Sequence, residues 1–137
     1  MVTKTRYRDQ RQQQFVKQLR RILPADTVLF DEEDTRPYEC DGLSAYRQLP
    51  WVVALPETIA QVQAILRVCR AEKIPVIARG AGTGLSGGAL PRDQSLLLSL
   101  AKFNQILNID PQIRTACVQP GVRNLAISEA VKQYGLY

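Results

Sequence analysis

The chain has 137 residues, of which 45% are hydrophobic, 23% charged and 7% aromatic. This length and composition fit one ordinary domain, or a fragment of a larger one, and exclude a chain that is disordered throughout. The sequence contains no histidine, which excludes His-based triads and His general bases, and no apolar run near the roughly 18–20 residues that span a membrane. Its three cysteines, Cys40, Cys69 and Cys117, fit neither a disulfide framework nor a zinc spacing, so we expect a reducing, cytoplasmic compartment.

Positive charge is concentrated at the start of the chain. Residues 1–21 hold seven basic residues and one acidic residue, a net +6, whereas residues 22–137 hold eleven basic and twelve acidic residues, a net −1. Five apolar residues between Phe15 and Leu23 recur at helical spacing, which predicts a helix over about residues 8–23 that Pro24 ends. We therefore expect a basic N-terminal helix or arm over residues 1–24 and a second unit over residues 25–137. The arm suits an anionic membrane surface, nucleic acid or an acidic partner, although a solvated helix face explains the same charges.

The middle of the chain alternates between loop, strand and helix. An acidic stretch over residues 31–42 is predicted to be a surface loop, and residues 51–55 a short buried strand. Thr58 and Gln61 form a capping box that starts a helix, and Pro75 ends it before a strand over residues 75–78. A strand, a helix and a strand within about thirty residues are the size of a βαβ unit, whose strands are parallel. The apolar face of the helix is expected to comprise Ile59, Val62, Ile65, Leu66 and Cys69.

The last third of the chain predicts three strands and one helix. Residues 96–100 form an apolar strand, and residues 106–109 and 115–118 are expected to pair as a hairpin around a turn at Asp110. A helix over about residues 124–134 ends at Gly135, which suits a left-handed stop. Its inner face is expected to comprise Ile127, Ala130, Val131 and Tyr134. These elements predict an α+β fold, in which a small mixed sheet with a βαβ start is flanked by helices on one side.

A glycine-rich stretch follows the predicted strand at residues 75–78. Five of the eight glycines lie between residues 80 and 88. Glycines let a ligand touch the backbone, and successive N–H groups can converge into an anion-binding nest. So many glycines would be an entropic liability in a simple connection between elements, which is the alternative interpretation. The stretch therefore predicts a surface that binds a diphosphate.

Two well-known phosphate-binding patterns come close to this stretch. A P-loop requires Lys and Ser or Thr where Gly88 and Ala89 stand, so that pattern is excluded. Residues 82–87 satisfy the Rossmann pattern Gly-x-Gly-x-x-Gly, and Asp110 follows at roughly the distance that suits a ribose contact. A Rossmann loop must run into a helix, however, and Pro91 arrives where that helix should begin. A nicotinamide-binding Rossmann domain is therefore the weaker alternative.

The order of these motifs resembles a known family. It comprises Tyr38-x-Cys40-Asp41-Gly42, the strand at residues 52–56, the capped helix, the strand and glycine stretch at residues 75–88, and Pro120-Gly121-Val122. This order is similar to the FAD-linked oxidases that carry a PCMH-type, vanillyl-alcohol-oxidase-like FAD-binding domain. Within that family it most resembles the flavin subunits of glycolate oxidases and the D-lactate and D-2-hydroxyglutarate dehydrogenases. The resemblance covers nearly all of residues 25–137 and implies the first part of an incomplete FAD-binding domain.

The resemblance also implies a set of cofactor-binding residues. In that family the glycine loop holds the FAD pyrophosphate through backbone N–H groups, and the turn after the later strand lies against the flavin. Some relatives attach the flavin through a His in this loop, where this chain has Thr83, so a non-covalent FAD is implied. For Arg79, an ordinary surface ion pair is as good an interpretation as a contact with the diphosphate. The implied residues are Arg79, Gly80, Ala81, Gly82, Thr83, Gly84, Ser86, Gly88, Ala89, Pro120 and Gly121.

The activity that the resemblance implies is the oxidation of a 2-hydroxy acid to a 2-oxo acid, with hydride passing from the α-carbon to flavin N5. Family members run on for several hundred residues, and the groups that bind and deprotonate the substrate match nothing in this chain, so the 137 residues alone are expected to be inactive. The resemblance further implies a second flavin subunit, an iron–sulfur subunit and association with the inner face of a membrane. We expect no nucleic-acid partner, and exposed edges that favour a homodimer of the fragment. The alternative is a truncated, non-catalytic nucleotide-binding or interaction module.

Overall fold

A computed structural model describes the backbone of residues 2–137 and the side chains of residues 10–137. The described part of the chain contains four α-helices, α1 Val2–Leu19, α2 Glu32–Thr35, α3 Ile59–Ala71 and α4 Asn124–Val131. Its six strands are β1 Val28–Leu29, β2 Val52–Ala54, β3 Val76–Arg79, β4 Leu96–Ser99, β5 Ile106–Asp110 and β6 Thr115–Val118. Three single 3₁₀ turns, Ala25–Thr27, Arg36–Tyr38 and Lys132–Tyr134, complete the elements.

The main sheet has four strands in the order β1-β2-β4-β3. Strands β2, β4 and β3 run parallel, whereas β1 pairs antiparallel with β2, so the sheet is mixed as predicted. The β2-α3-β3 segment does give parallel strands, but β4 lies between them, and Leu97 is in register with both Val53 and Ile77. All four residues of β4 are buried, which is why this strand takes the central place.

Helices α1 and α3 cover one face of this sheet, as the sequence predicted. Phe15 and Leu19 of α1 are buried against Val52 and Leu96 of the sheet, and the ring of Phe15 stacks on Trp51 with centroids 5.6 Å apart. Burial of each such side chain contributes roughly 1.5–3 kcal/mol, so the described part of α1 belongs to the core of the sheet. The α-helix ends at Leu19, four residues before the predicted end, and a turn leads on to Pro24. The division between residues 24 and 25 stays a prediction, and the side chains of residues 1–9 lie outside the described part.

Helix α3 begins with the predicted capping box. Thr58 Oγ1 accepts from the Gln61 amide and Gln61 Oε1 accepts from the Thr58 amide, both at 3.2 Å. The predicted apolar face was too wide, because Ile59 is 70% and Leu66 42% exposed. Successive residues turn by about 100° around a helix, so these two lie about 120° and 100° away from the buried Ile65. The buried stripe of α3 consists of Ile65 and Cys69, with Val62 half-buried.

The end of the chain differs from the prediction in one helix turn. Strands β5 and β6 form the expected antiparallel hairpin, and Asp110 Oδ1 accepts from the amides of Gln112 and Ile113 in its turn. Helix α4 passes into the 3₁₀ turn Lys132–Tyr134, and Gly135 is left-handed as expected, with φ 69°. Val131 is buried, but Tyr134 is 50% exposed, because the tighter 3₁₀ turn rotates it away from the inner face.

The acidic stretch is more ordered than a loop. It contains α2 and the 3₁₀ turn Arg36–Tyr38, and Thr35 Oγ1 donates to the Asp31 carbonyl at 3.0 Å. Thr35 is 1% exposed, so this stretch is anchored to the protein by a buried residue. In the part of the chain that the structure describes, every helix is too short or too polar to cross a bilayer.

Candidate functional site

An open cleft of about 510 Å³ lies where the glycine-rich stretch leaves β3. Three segments that are far apart in the sequence form its walls: the glycine-rich stretch, the end of the turn before α4 together with the first turn of α4, and the residue that follows Cys40. The residues that line it are Asp41, Ala78, Gly80, Ala81, Gly82, Thr83, Gly84, Ser86, Gly88, Ala89, Pro120, Val122, Asn124 and Ile127.

The glycine-rich wall consists of backbone that is not used inside the protein. Within the described part of the chain, none of the amides of residues 80–89 donates a hydrogen bond to another residue. The first amide after them that does so is Leu90, which donates to the Gly87 carbonyl at 3.1 Å. Residues 80–89 are all half-buried or exposed, so their unpaired amides are open to water or to a ligand. These amides supply the donors that an anion needs.

Two glycines in this wall leave the backbone open to a ligand. A methyl group on Gly84 or Gly88 would meet no atom of the chain within 4 Å, and both residues line the cleft. Gly80 is different, because a methyl group there would collide with the Pro120 carbonyl. Gly80 therefore packs the loop against the second wall, whereas Gly84 and Gly88 keep the surface free of side chains.

The second wall is the turn between β6 and α4. The Gly121 amide donates to the Phe103 carbonyl at 2.8 Å, and a methyl group on Gly121 would lie 2.5 Å from the Leu100 carbonyl oxygen. The turn therefore packs tightly on the chain that follows β4. Helix α4 then starts at the cleft with Asn124. The first amides of a helix have no partner within it and carry partial positive charge, so this wall also favours an anion.

The third wall is a buried carboxylate. Asp41 is 7% exposed, and its Oδ1 accepts from the Leu43 amide at 2.9 Å, so the carboxylate caps the turn that follows it. Asp41 also lines the cleft. A carboxylate repels phosphate, so it suits a hydroxyl or amide group of a ligand and favours placing the phosphates on the opposite, amide-lined side.

Nine of the eleven residues implied by the resemblance line this cleft, and the other two lie beside it. Gly121 follows Pro120 in the second wall. The Arg79 side chain contacts other groups: Nη1 donates to the Cys40 carbonyl at 2.5 Å, and the guanidinium lies over the Tyr38 ring, 5.6 Å from its centroid. Five other residues that line the cleft are outside that set: Asp41, Ala78, Val122, Asn124 and Ile127. The Pro120-Gly121 turn, which leads into a helix, could have indicated Asn124 and Ile127.

Asp41 is the one titratable side chain among the described residues that line the cleft. Among the described residues, no group of three or more His, Cys, Asp and Glu side chains could hold a metal ion. The carboxylates of residues 31–34 are exposed, which fits the solvated acidic surface expected for them. Cys69 lies in the core between α3 and the sheet, where burial raises the pKa of its thiol to about 11. The arrangement can therefore bind an anionic ligand and orient it.

These features define a class of protein. An open loop of glycine amides at the end of a strand, facing the start of a helix, is the arrangement of a domain that binds the phosphates of a nucleotide cofactor. The described residues place no helix between the glycine loop and β4, so a Rossmann loop is excluded. The sequence matches the family described as the FAD binding domain over residues 50–137. The chain belongs to this family, whose cofactor is FAD.

Curated relatives agree with this assignment. The chain is 56% identical over 119 residues to the glycolate oxidase subunit GlcD of Escherichia coli strain K12, a match that covers 87% of this chain and 24% of the relative. It is 38% identical over 113 residues to the D-lactate dehydrogenase of Archaeoglobus fulgidus, covering 82% of this chain and 24% of the relative. The chain thus spans about a quarter of the length of these relatives.

Solved structures show the same fold. The 4-ethylphenol oxidase from Gulosibacter chungangensis, in its isoeugenol complex, superimposes with a TM-score of 0.77 at 26% identity. That match covers 90% of this chain and 24% of the other. The fold is therefore the expected α+β fold of a PCMH-type FAD-binding domain, of which the chain contains one part.

Proposed function

We propose that the chain binds the diphosphate of FAD through the backbone amides of residues 80–89 and forms the first part of an enzyme that oxidises a 2-hydroxy acid. One observation carries the proposal: residues 80–89 have ten successive amides without a partner inside the described chain, and eight of these residues line an open cleft at the exit of β3. The membership of the FAD binding domain family supplies the identity of the ligand.

The residues of the cleft fit FAD. The amides of the glycine wall suit the two phosphates, the start of α4 adds partial positive charge, and Pro120 and Gly121 would lie against the flavin. Asp41 would accept from a hydroxyl group of the cofactor rather than contact the phosphates. The chain has no His, and Thr83 stands at the expected attachment site, so the proposed FAD is held without a covalent bond. A bound FAD supplies the redox chemistry, and the protein supplies its binding and orientation.

A 2-hydroxy acid is the substrate class that the relatives support. Glycolate and D-lactate, which appear in the names of the two relatives described above, both belong to it. The chain spans about a quarter of those relatives, and Asp41 is the one titratable side chain among the described residues that line its cleft. We place the groups that bind the substrate carboxylate and take its hydroxyl proton in a part of the enzyme outside these 137 residues.

The proposal also concerns the partner subunits of the complete enzyme. GlcD is named as a subunit of glycolate oxidase, which supports an assembly of several chains. A second flavin subunit, an iron–sulfur subunit and a peripheral position at the inner face of a membrane are the partners and place that we propose for the complete enzyme. In the absence of the rest of the enzyme, we propose that exposed edges of the fragment favour a homodimer.

Titration with flavins tests the binding proposal. The fluorescence of FAD, FMN and riboflavin is followed as the protein is added, since these ligands share the isoalloxazine ring but carry two, one and no phosphate groups. Because the amides bind the phosphates, the affinity should fall from FAD to FMN to riboflavin. In a competition experiment ADP should displace FAD, and NAD⁺ should displace FAD no better than ADP does. Equal affinity for FAD and riboflavin would contradict the proposed role of the glycine loop.

Turnover assays test the division of labour. The 137-residue chain, loaded with FAD, is mixed with glycolate or D-lactate and an artificial electron-accepting dye. We expect no turnover, because we place the group that takes the hydroxyl proton of the substrate outside these residues. Measurable reduction of the dye that depends on the hydroxy acid would show that the catalytic groups lie within these residues and would overturn this part of the proposal.

A further inference from the structure

Arg79 joins two parts of the site that are forty residues apart in the sequence. It is the last residue of β3 and directly precedes the glycine loop. Its Nη1 donates to the Cys40 carbonyl at 2.5 Å, and its guanidinium covers the Tyr38 ring. We call residues 38–42 the cover segment. Arg79 thus ties the start of the glycine loop to the cover segment.

The glycine loop itself packs on this guanidinium. Gly82 has φ +73°, and a methyl group built on it would lie 2.6 Å from Arg79 Cζ. The loop also packs directly on the cover segment, where a methyl group on Gly42 would lie 2.8 Å from the carbonyl oxygens of Thr83 and Gly84. The glycine loop is therefore in direct contact with both the guanidinium and the cover segment, and neither Gly42 nor Gly82 has room for an added carbon atom.

The orientation of Arg79 argues against a direct contact with the phosphates. Its side chain is not part of the lining of the cleft, and a donor of its guanidinium is already used by the Cys40 carbonyl. The planar fork of arginine combines a directed hydrogen bond with stacking on an aromatic ring, which lysine does not reproduce. A loop whose amides have no internal partners needs such support, because a disordered loop would lose more conformational freedom on binding.

We propose that Arg79 is a positioning residue, which holds the glycine loop against the cover segment so that its amides are preorganised for the diphosphate. This inference rests on the proposed function of the cleft. Replacing Arg79 removes one hydrogen bond made by a charged group, and we expect this loss to weaken FAD binding by about 10- to 100-fold.

Hydrogen exchange in the cofactor-free protein separates positioning from direct contact. The reporting amides are Leu43, bonded to Asp41 Oδ1, and Gln48, bonded to the Glu39 carbonyl at 2.8 Å. In Arg79→Gln both should exchange faster than in the wild type, and Arg79→Lys should not rescue them. Arg67→Gln, on the exposed face of α3, is the matched control and should leave them unchanged. Unchanged exchange in Arg79→Gln would overturn the proposal, since a residue that only contacts the phosphates has no effect without FAD.

A double-mutant cycle gives a second, independent readout. Gly42→Ala pushes the cover segment away from Thr83 and Gly84 without touching the charge of Arg79. If Arg79 acts through the cover segment, Arg79→Lys should weaken FAD binding much less in the Gly42→Ala background than in the wild type. Additive effects on the FAD affinity would contradict the proposal. If Arg79→Gln does not fold, the comparison of Arg79→Lys with Gly42→Ala still tests the positioning role of Arg79. If the wild type does not bind FAD, the proposed function is rejected, whereas the exchange experiment still tests whether Arg79 holds the cover segment.

Discussion

Replacing Gly84 by alanine should weaken FAD binding without weakening the fold. A methyl group at this position meets no atom of the chain within 4 Å, so no overlap destabilises the protein. The change in the free energy of unfolding should stay within about 0.5 kcal/mol, and the smaller conformational freedom of alanine in the unfolded chain acts in the stabilising direction. The same methyl group lies on a surface that lines the cleft. If it keeps a phosphate from one amide, the lost charge-assisted hydrogen bond corresponds to roughly 1.5–3 kcal/mol, or about 10- to 150-fold in affinity.

The assay combines denaturant unfolding of the cofactor-free protein with titration of FAD. Gly121→Ala is the matched control, because its methyl group would lie 2.5 Å from the Leu100 carbonyl oxygen and 2.8 Å from that of Phe103. Such overpacking against backbone should lower the free energy of unfolding by about 1–3 kcal/mol. A Gly84→Ala protein that is stable and binds FAD as tightly as the wild type would refute the reasoning, because the backbone at this position would then not approach the cofactor.

Three further predictions concern the fold and its thiols. Thr58→Ala removes the side-chain acceptor of the capping box and should lower the free energy of unfolding, measured by urea denaturation, by about 1 kcal/mol. An unchanged urea midpoint would show that the cap does not stabilise the protein. Burial raises the pKa of Cys69 from 9.0 to about 11, so the unfolded chain loses this proton first. Its contribution to stability is present below pH 9 and is lost as the pH rises to 11, by roughly 2–3 kcal/mol, and Cys69→Ala should flatten that decline in unfolding experiments. At pH 8 a thiol reagent should label the exposed Cys117 at once and the buried Cys69 only on unfolding, as mass spectrometry of the labelled peptides can show.

Features set by neighbouring residues could be predicted from the sequence. The capping box of α3 and the turn at Asp110 depend on side chains within four residues of the bonds they make, so the residue types alone indicated them. The open loop of backbone amides was predictable for the same reason, because a run of glycines after a strand exposes backbone amides whatever surrounds it.

Features that depend on distant parts of the chain were not predictable in this way. The apolar run at residues 96–100 indicated a buried strand, but the position of β4 between β2 and β3 depends on pairing between segments that are far apart in the sequence. The exposure of Ile59 and Leu66 shows the same limit, since a run of apolar residues does not say how wide a stripe the sheet covers. The partner of Arg79 also lies far away in the sequence, and an arginine beside a glycine loop suggested a phosphate or a surface ion pair rather than the Cys40 carbonyl.

Strand β3 lies at the edge of the sheet and is held there by β4 alone, with the sixteen residues between the two strands forming no helix or strand of their own. Parallel neighbours are usually joined by a helix that packs on the sheet, and here the glycine loop takes that place. A cofactor present at 100 times its Kd would raise the free energy of unfolding by about 2.7 kcal/mol. In the proposed site the contacts responsible for this stabilisation are made by the glycine loop. We therefore expect bound FAD to protect the β3 edge and the glycine loop, so that limited proteolysis between residues 79 and 96 is slower in the loaded protein than in the cofactor-free protein.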